Sequence, residues 1–214
     1  MNSPRISPLV ALVGLWVRLG SIAALTVYVF LDSTSDPFSR IDALASAVLT
    51  LLWTLLMGVY LRGGNVLPTD PRRVWLTWLY PWLIAFEGAV WSLYTFTVLL
   101  GALPDANPIA LFVVISVWGA SVAVNFLMFA VSLRVIGHPE DTTGRAQFTE
   151  LLNWAAALAA ANTVMNVVRL GGTPGPSPSD QIAFGLQGVV EVAALLLLRW
   201  ALKEQDRGRD TQAT

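Results

Sequence analysis

Residues 109–133, IALFVVISVWGASVAVNFLMFAVSL, run without an ionisable side chain from end to end. At about 1.5 Å of rise per residue, such a helix is about 37 Å long and covers a hydrocarbon layer roughly 30 Å thick. Five further apolar stretches, at 8–31, 42–61, 74–100, 148–169 and 182–202, have comparable length. The expected fold is an all-α integral membrane protein. Residues 1–214 would form one compact bundle of six transmembrane helices with only short connections between them.

Composition agrees with that reading: 55% of residues are hydrophobic and 13% charged, about half the charged share of an ordinary soluble domain. The first apolar stretch lacks an early basic cluster and is followed by five more, so it reads as a span and not as a signal peptide.

Basic residues supply an orientation. Arg5, Arg62, Arg72, Arg73, Arg134, Arg145, Arg199, Lys203, Arg207 and Arg209 fall on one side of the expected layer, against Arg40 and Arg169 on the other. The positive-inside rule then places both termini in the cytoplasm, with the plasma membrane as the expected location.

The chain has no cysteine, which removes disulfide, thiolate and iron–sulfur chemistry. A bis-histidine haem site needs more than the sole histidine, His138, and the sole lysine, Lys203, follows the last span, badly placed for a retinal Schiff base. No cofactor is therefore expected. His138 lies in Gly137-His138-Pro139-Glu140-Asp141, which reads better as a solvated helix-ending turn than as a metal site. No glycine-rich phosphate loop and no basic patch with interleaved aromatics is present, so neither nucleotide hydrolysis nor nucleic-acid binding is expected. Gly63-Gly64 reads as a helix exit, and Asp70-Pro71 and Asn107-Pro108 as helix starts.

Function is sought in the polar residues at hydrocarbon depth, which are costly there and need partners inside the protein. Arg18, Glu87 and Glu191 sit near the middle of spans one, three and six. One arginine cannot neutralise two ionised carboxylates, so one glutamate is expected to be protonated or held by other donors. Tyr80, Glu87, Trp91 and Tyr94 share a helical face in span three, and Trp118, Ser121, Asn125 and Ser132 form a related stripe in span four. Span five is the most polar, with Glu150, Asn153, Asn162, Asn166 and Arg169. Gln187 and Glu191 stand one turn apart in span six.

The expected substrate-binding set is thus Arg18, Glu87, Trp91, Asn125, Asn162, Asn166, Gln187 and Glu191. Trp75, Trp78, Trp82 and Trp200 read as interfacial anchors, whereas Trp16, Trp53, Trp91, Trp118 and Trp154 lie deeper, where they would pack the bundle or bound a cavity. Val59 to Gly64 with Ile84 to Gly88 resembles Val167 to Gly172 with Ile182 to Gly185 in order, suggesting two inverted three-helix halves.

The leading functional expectation is a small membrane transporter, or a membrane subunit of a transport complex, acting on a small polar or amphipathic solute with an ion gradient or an energising partner. The alternative is a non-enzymatic assembly or stabilising subunit, since buried ion pairs and small-residue faces also build complexes. An integral membrane enzyme or a ligand sensor is less well supported, because no hydrolytic triad, zinc-binding histidine pair or nucleophilic cysteine is present.

Overall fold

The computed structural model describes residues 8–32, 37–64, 66–101, 107–168 and 178–210. They form six helices and no strand: α1 (Pro8–Leu31), α2 (Pro37–Leu61), α3 (Pro71–Leu99), α4 (Pro108–Gly137), α5 (Thr142–Val168) and α6 (Pro178–Asp210). Each helix corresponds to one apolar stretch, but α2 and α5 begin well before their apolar runs. At α5 a polar cap, Asp141, and not hydropathy sets that end.

Three helices start on a side chain that accepts the first free N–H groups, which otherwise have no partner within the helix. Asp70 Oδ1 accepts from Arg72 N at 2.9 Å, Asn107 Oδ1 from Ile109 N at 3.0 Å, and Asp141 Oδ1 from Gly144 N at 2.8 Å. At the far end of α2, Gly63 adopts φ 74°. Gly63 N donates to Tyr60 O and Gly64 N to Val59 O, the paired bonds of a Schellman ending that favours glycine in the left-handed position.

Four segments are long and apolar enough to cross a membrane: Pro8–Leu31, Arg40–Leu61, Pro108–Gly137 and Gln181–Asp206. α3 is diluted by Trp, Tyr and its two leading arginines, and α5 by Arg145, Glu150 and its asparagines. Large apolar side chains face outward along the molecule, among them Val13, Phe96, Ile109, Phe112, Leu186 and Val189. Such extensive apolar exposure suits lipid and not water. The chain is an integral membrane protein by these features.

Each helix packs on the next in sequence, and α6 returns to pack on α1, so the six close into a ring. One end of that ring is filled by a dry core including Leu56, Met57, Ile136, Phe148, Leu152 and Leu198. Trp53 Nε1 donates across the ring from α2 to Ser132 Oγ of α4 at 2.9 Å, while Ser132 Oγ donates to Phe129 O at 2.7 Å. Both buried groups are thereby satisfied.

The closed order corrects the expectation of inverted halves. A two-fold axis in the membrane plane reverses the sense in which helices follow one another around the ring when seen from one side. Here α4, α5 and α6 continue the circuit begun by α1, α2 and α3, so that axis cannot superpose the halves. The similar sequence order therefore does not correspond to an inverted repeat, and residues 169–172 of the comparison lie outside the described residues.

Candidate functional site

Beyond the Trp53–Ser132 cross-link, the ring encloses a half-open cavity of about 510 Å³ bordered by all six helices. Its lining extends toward Val29 on α1, Asp42 on α2, Thr163 on α5 and Phe184 on α6, away from the end filled by the dry core. The volume falls within the roughly 300–1,000 Å³ usual for small-molecule sites.

Helical spacing builds the walls. On α1 the lining residues are Arg18, Ile22, Leu25, Thr26 and Val29; on α2 they are Asp42, Ala43, Ser46, Leu49, Thr50 and Trp53. Both sets advance by the three- and four-residue steps that keep side chains on one helical face. Thr26 Oγ1 lies 2.8 Å from Ile22 O of its own helix and 3.1 Å from Ala43 O of α2, joining the walls where they meet.

Arg18 Nε donates to Glu191 Oε2 at 2.6 Å, and the two side chains are only 12% and 16% exposed. The guanidinium carbon also lies 5.5 Å from the centre of a Trp53 ring. The arginine is thus engaged by a carboxylate and an aromatic face together. Glu87, the other glutamate expected in this cluster, borders the same cavity but has no ion pair or hydrogen bond among the described residues. The expected three-member cluster resolves into one bonded pair and one separate carboxyl.

The five other expected residues vary in outcome. Asn162 Nδ2 donates to Ser121 Oγ at 2.7 Å, tying α5 to α4 at the wall, and Gln187 and Asn125 also border the cavity. Asn125 contributes its backbone oxygen as acceptor for Tyr80 Oη at 2.6 Å. Trp91 is a correction: it does not reach the cavity. Its Nε1 donates to Ile115 O of α4 at 2.9 Å, and its ring covers Gly119, where an added Cβ would lie 2.9 Å from the indole. The absent side chain at Gly119 lets α4 accept the ring. Tyr94 is likewise turned to α4, edge-on to Trp118 with centroids 5.8 Å apart. The side chain of Asn166, and Arg169 as a whole, lie outside the described residues.

The deep tryptophans divide further. Trp53 is buried at the cavity, but Trp16 and Trp154 face outward and neither fill the bundle nor bound the cavity. Their positions lie on outer faces of α1 and α5, so depth alone misassigned them. Trp75, Trp78, Trp82 and Trp200 are also outward-facing. At the turn after α4, His138 Nδ1 lies 3.4 Å from Glu140 Oε1, both well exposed, and the described residues hold no cluster of three potential metal ligands.

Asp42 is the residue that sequence reasoning missed. It is the first residue of the expected span 42–61 and is absent from the expected substrate-binding set, yet α2 starts at Pro37 and carries Asp42 into the cavity wall. Its Oδ1 is buried without a hydrogen-bond partner. The recurrence Asp42, Ser46, Thr50, Trp53 was the available signal. Tyr80, Ser121 and Thr163 also join the lining, while Tyr80 stacks on Phe129 with ring centroids 3.3 Å apart.

The charged lining therefore comprises Arg18 against Asp42, Glu87 and Glu191. Comparisons with protein families, curated proteins and solved structures returned no match for this chain. The functional reading rests on the cavity itself.

Proposed function

We propose that this chain is a six-span transporter, or the membrane subunit of a transport complex, that binds a small polar or amphipathic solute in its central cavity. The observation that carries this reading is a half-open 510 Å³ cavity bordered by all six helices, with carboxyls that the bundle's own ion pair does not use. A purely structural ion pair has no need of such a space around it. A solute leaving water needs replacement hydrogen bonds, which Asn125, Asn162, Thr163 and Gln187 offer from three helices, α4, α5 and α6.

With α3 and α5 counted as spans, the basic-residue asymmetry puts both termini in the cytoplasm and the cavity's open end toward the outside of the plasma membrane. Transport would then require the dry cytoplasmic half to part while the outer half closes. Since the inverted-repeat mechanism does not apply to this ring, the moving unit would be a helix group and not one symmetric half. Driving force would come from an ion gradient or an energising partner.

Protein reconstituted in vesicles should release or accumulate solute under an imposed gradient, and Glu87→Gln should change that flux without loss of folded protein. Flux identical to protein-free vesicles across a solute panel would reject transport by the chain alone. An assembly role draws support from a different feature, a groove of about 340 Å³ between α3 and α4 where Trp91 and Val122 border the small residues Gly88, Ser116, Gly119, Ala120 and Ala123. Co-purification of a stoichiometric membrane partner, with solute flux unchanged by deletion of the chain, would favour that role.

A further inference from the structure

The charges around the cavity do not balance. Arg18 is taken up by Glu191 at 2.6 Å and lies against Trp53, which leaves Asp42 on α2 and Glu87 on α3 with no cationic partner among the described residues. Two carboxylates that face one confined, half-open cavity repel each other unless a proton or a cation neutralises one of them. The remaining walls supply no compensating charge: α4 and α5 contribute Ser121, Asn125, Asn162 and Thr163, and the only other titratable lining group is Tyr80.

We infer that the cavity takes an organic ammonium ion, which occupies the space between the Asp42 and Glu87 walls and exchanges there with protons. This deepens the solute-binding reading above and rests on it. Three observations select that class. An anionic solute would meet two uncommitted carboxyls and an arginine already engaged. An inorganic ion has no converging set of three acidic or histidine ligands among the described residues, and 510 Å³ far exceeds what it needs. An organic cation uses both the carboxyls and the aromatic lining of Tyr80 and Phe184, since a quaternary or protonated amine is attracted to ring faces as well as to negative charge.

The exchange is balanced in charge. When a monovalent cation enters, one carboxyl that was protonated releases its proton, and the cation's departure allows that proton to return. Arg18 stays with Glu191 throughout, so it holds the wall and keeps the third carboxylate from competing for the solute.

The test uses the full chain in nanodiscs of zwitterionic phosphatidylcholine and three aromatic probes of similar size: benzyltrimethylammonium, 3-phenylpropanol and 3-phenylpropanoate. Equilibrium dialysis should show benzyltrimethylammonium bound more tightly than the neutral probe by about tenfold or more, and the anion bound weakest. Because the quaternary probe does not titrate, its affinity should fall as pH falls solely through proton competition at the protein. Glu87→Gln and Asp42→Asn should each weaken the cation by about tenfold while leaving 3-phenylpropanol unchanged. These near-isosteric variants test the two walls independently, so failure of one to fold leaves the other decisive.

Equal binding of the three probes, preference for the anion, binding of none, or cation affinity unchanged in a folded variant would overturn the inference. Preference for 3-phenylpropanoate would leave the solute cavity standing and reject only its cation selectivity. Cation-selective binding without protein-dependent flux would do the reverse, upholding this inference and rejecting transport by the chain alone.

Discussion

Arg18 and Glu191 stand 173 positions apart in the chain and meet through a 2.6 Å hydrogen bond between Arg18 Nε and Glu191 Oε2. The bond closes the ring, because α1 and α6 are its first and last helices and pack against each other. Taking either partner away leaves the other charge with little water around it.

The first prediction follows from that bond. Arg18→Leu or Glu191→Gln alone should destabilise the folded protein by about 3 kcal/mol, the lower end for a buried pair because some exposure remains. Arg18→Met combined with Glu191→Leu should recover most of the loss, since no uncompensated charge then remains. Unfolding midpoints in a mild detergent, read by tryptophan fluorescence, check the cycle. Single variants as stable as the native protein would show that the pair contributes nothing to closure.

Two glycines give the second prediction. A Cβ at Gly188 of α6 would lie 2.8 Å from Thr163 Cβ of α5, whereas a Cβ at Gly20 would meet nothing within 4 Å. Gly188→Ala should force α5 and α6 apart and cost about 1–3 kcal/mol. Gly20→Ala should be neutral or stabilising by up to about 1 kcal/mol, because alanine restricts the unfolded chain and favours helix. Parallel thermal unfolding of the two variants decides it, and equal midpoints would contradict the α5–α6 packing.

What was legible in the sequence and what was not divides along a physical line. Hydrophobic length located all six helices, and proline after Asp70 and Asn107 located two starts, because these are local properties of the backbone. Arg18, Glu87 and Glu191 were recognisable as interior from the cost of charge in lipid. Which of the two glutamates Arg18 meets depends on which helix follows which around the ring, and spacing within one helix carries no such information. Trp91 shares a face with Glu87 yet serves α4 because Gly119 opposes it, a tertiary coincidence. Asp42 was missed for the opposite reason: it stands at the very edge of the apolar run, where a charge carries little cost, whereas the helix begins earlier at Pro37 and turns that position into the cavity wall.

The turn between α4 and α5 carries a pH-dependent prediction. Asp141 accepts from Gly144 N at 2.8 Å and lies 2.7 Å from Arg134 Nε. The Gly144 N–H and, after it, the Arg134 charge hold the carboxyl below its ordinary range. A lowered folded pKa means that the stabilisation is complete above the unfolded value of about 3.9 and disappears as pH falls through the folded one. Hydrogen exchange at Gly144 and Arg145 should therefore accelerate only in acid, beyond the intrinsic change. Asp141→Asn keeps an acceptor for the cap but should abolish that acid-dependent step, and its persistence in the variant would assign it to another group.

The cysteine-free chain allows the proposed orientation and the cavity's accessibility to be tested together. Ser46 borders the cavity one helical turn from Asp42, and Leu51 faces outward on the same helix. In sealed cells, a membrane-impermeant thiol reagent added outside should label Ser46→Cys, because water can follow the cavity to that depth, and should leave Leu51→Cys unlabelled in lipid. Thr214→Cys should react only after the cytoplasmic side is exposed. Benzyltrimethylammonium should slow labelling of Ser46→Cys by occupying the cavity, without slowing the reagent's reaction with a free thiol in solution. Labelling of Ser46→Cys from the cytoplasmic side alone would reverse the direction in which the cavity opens, and equal labelling of Ser46→Cys and Leu51→Cys would show that α2 does not separate a wet face from a lipid face.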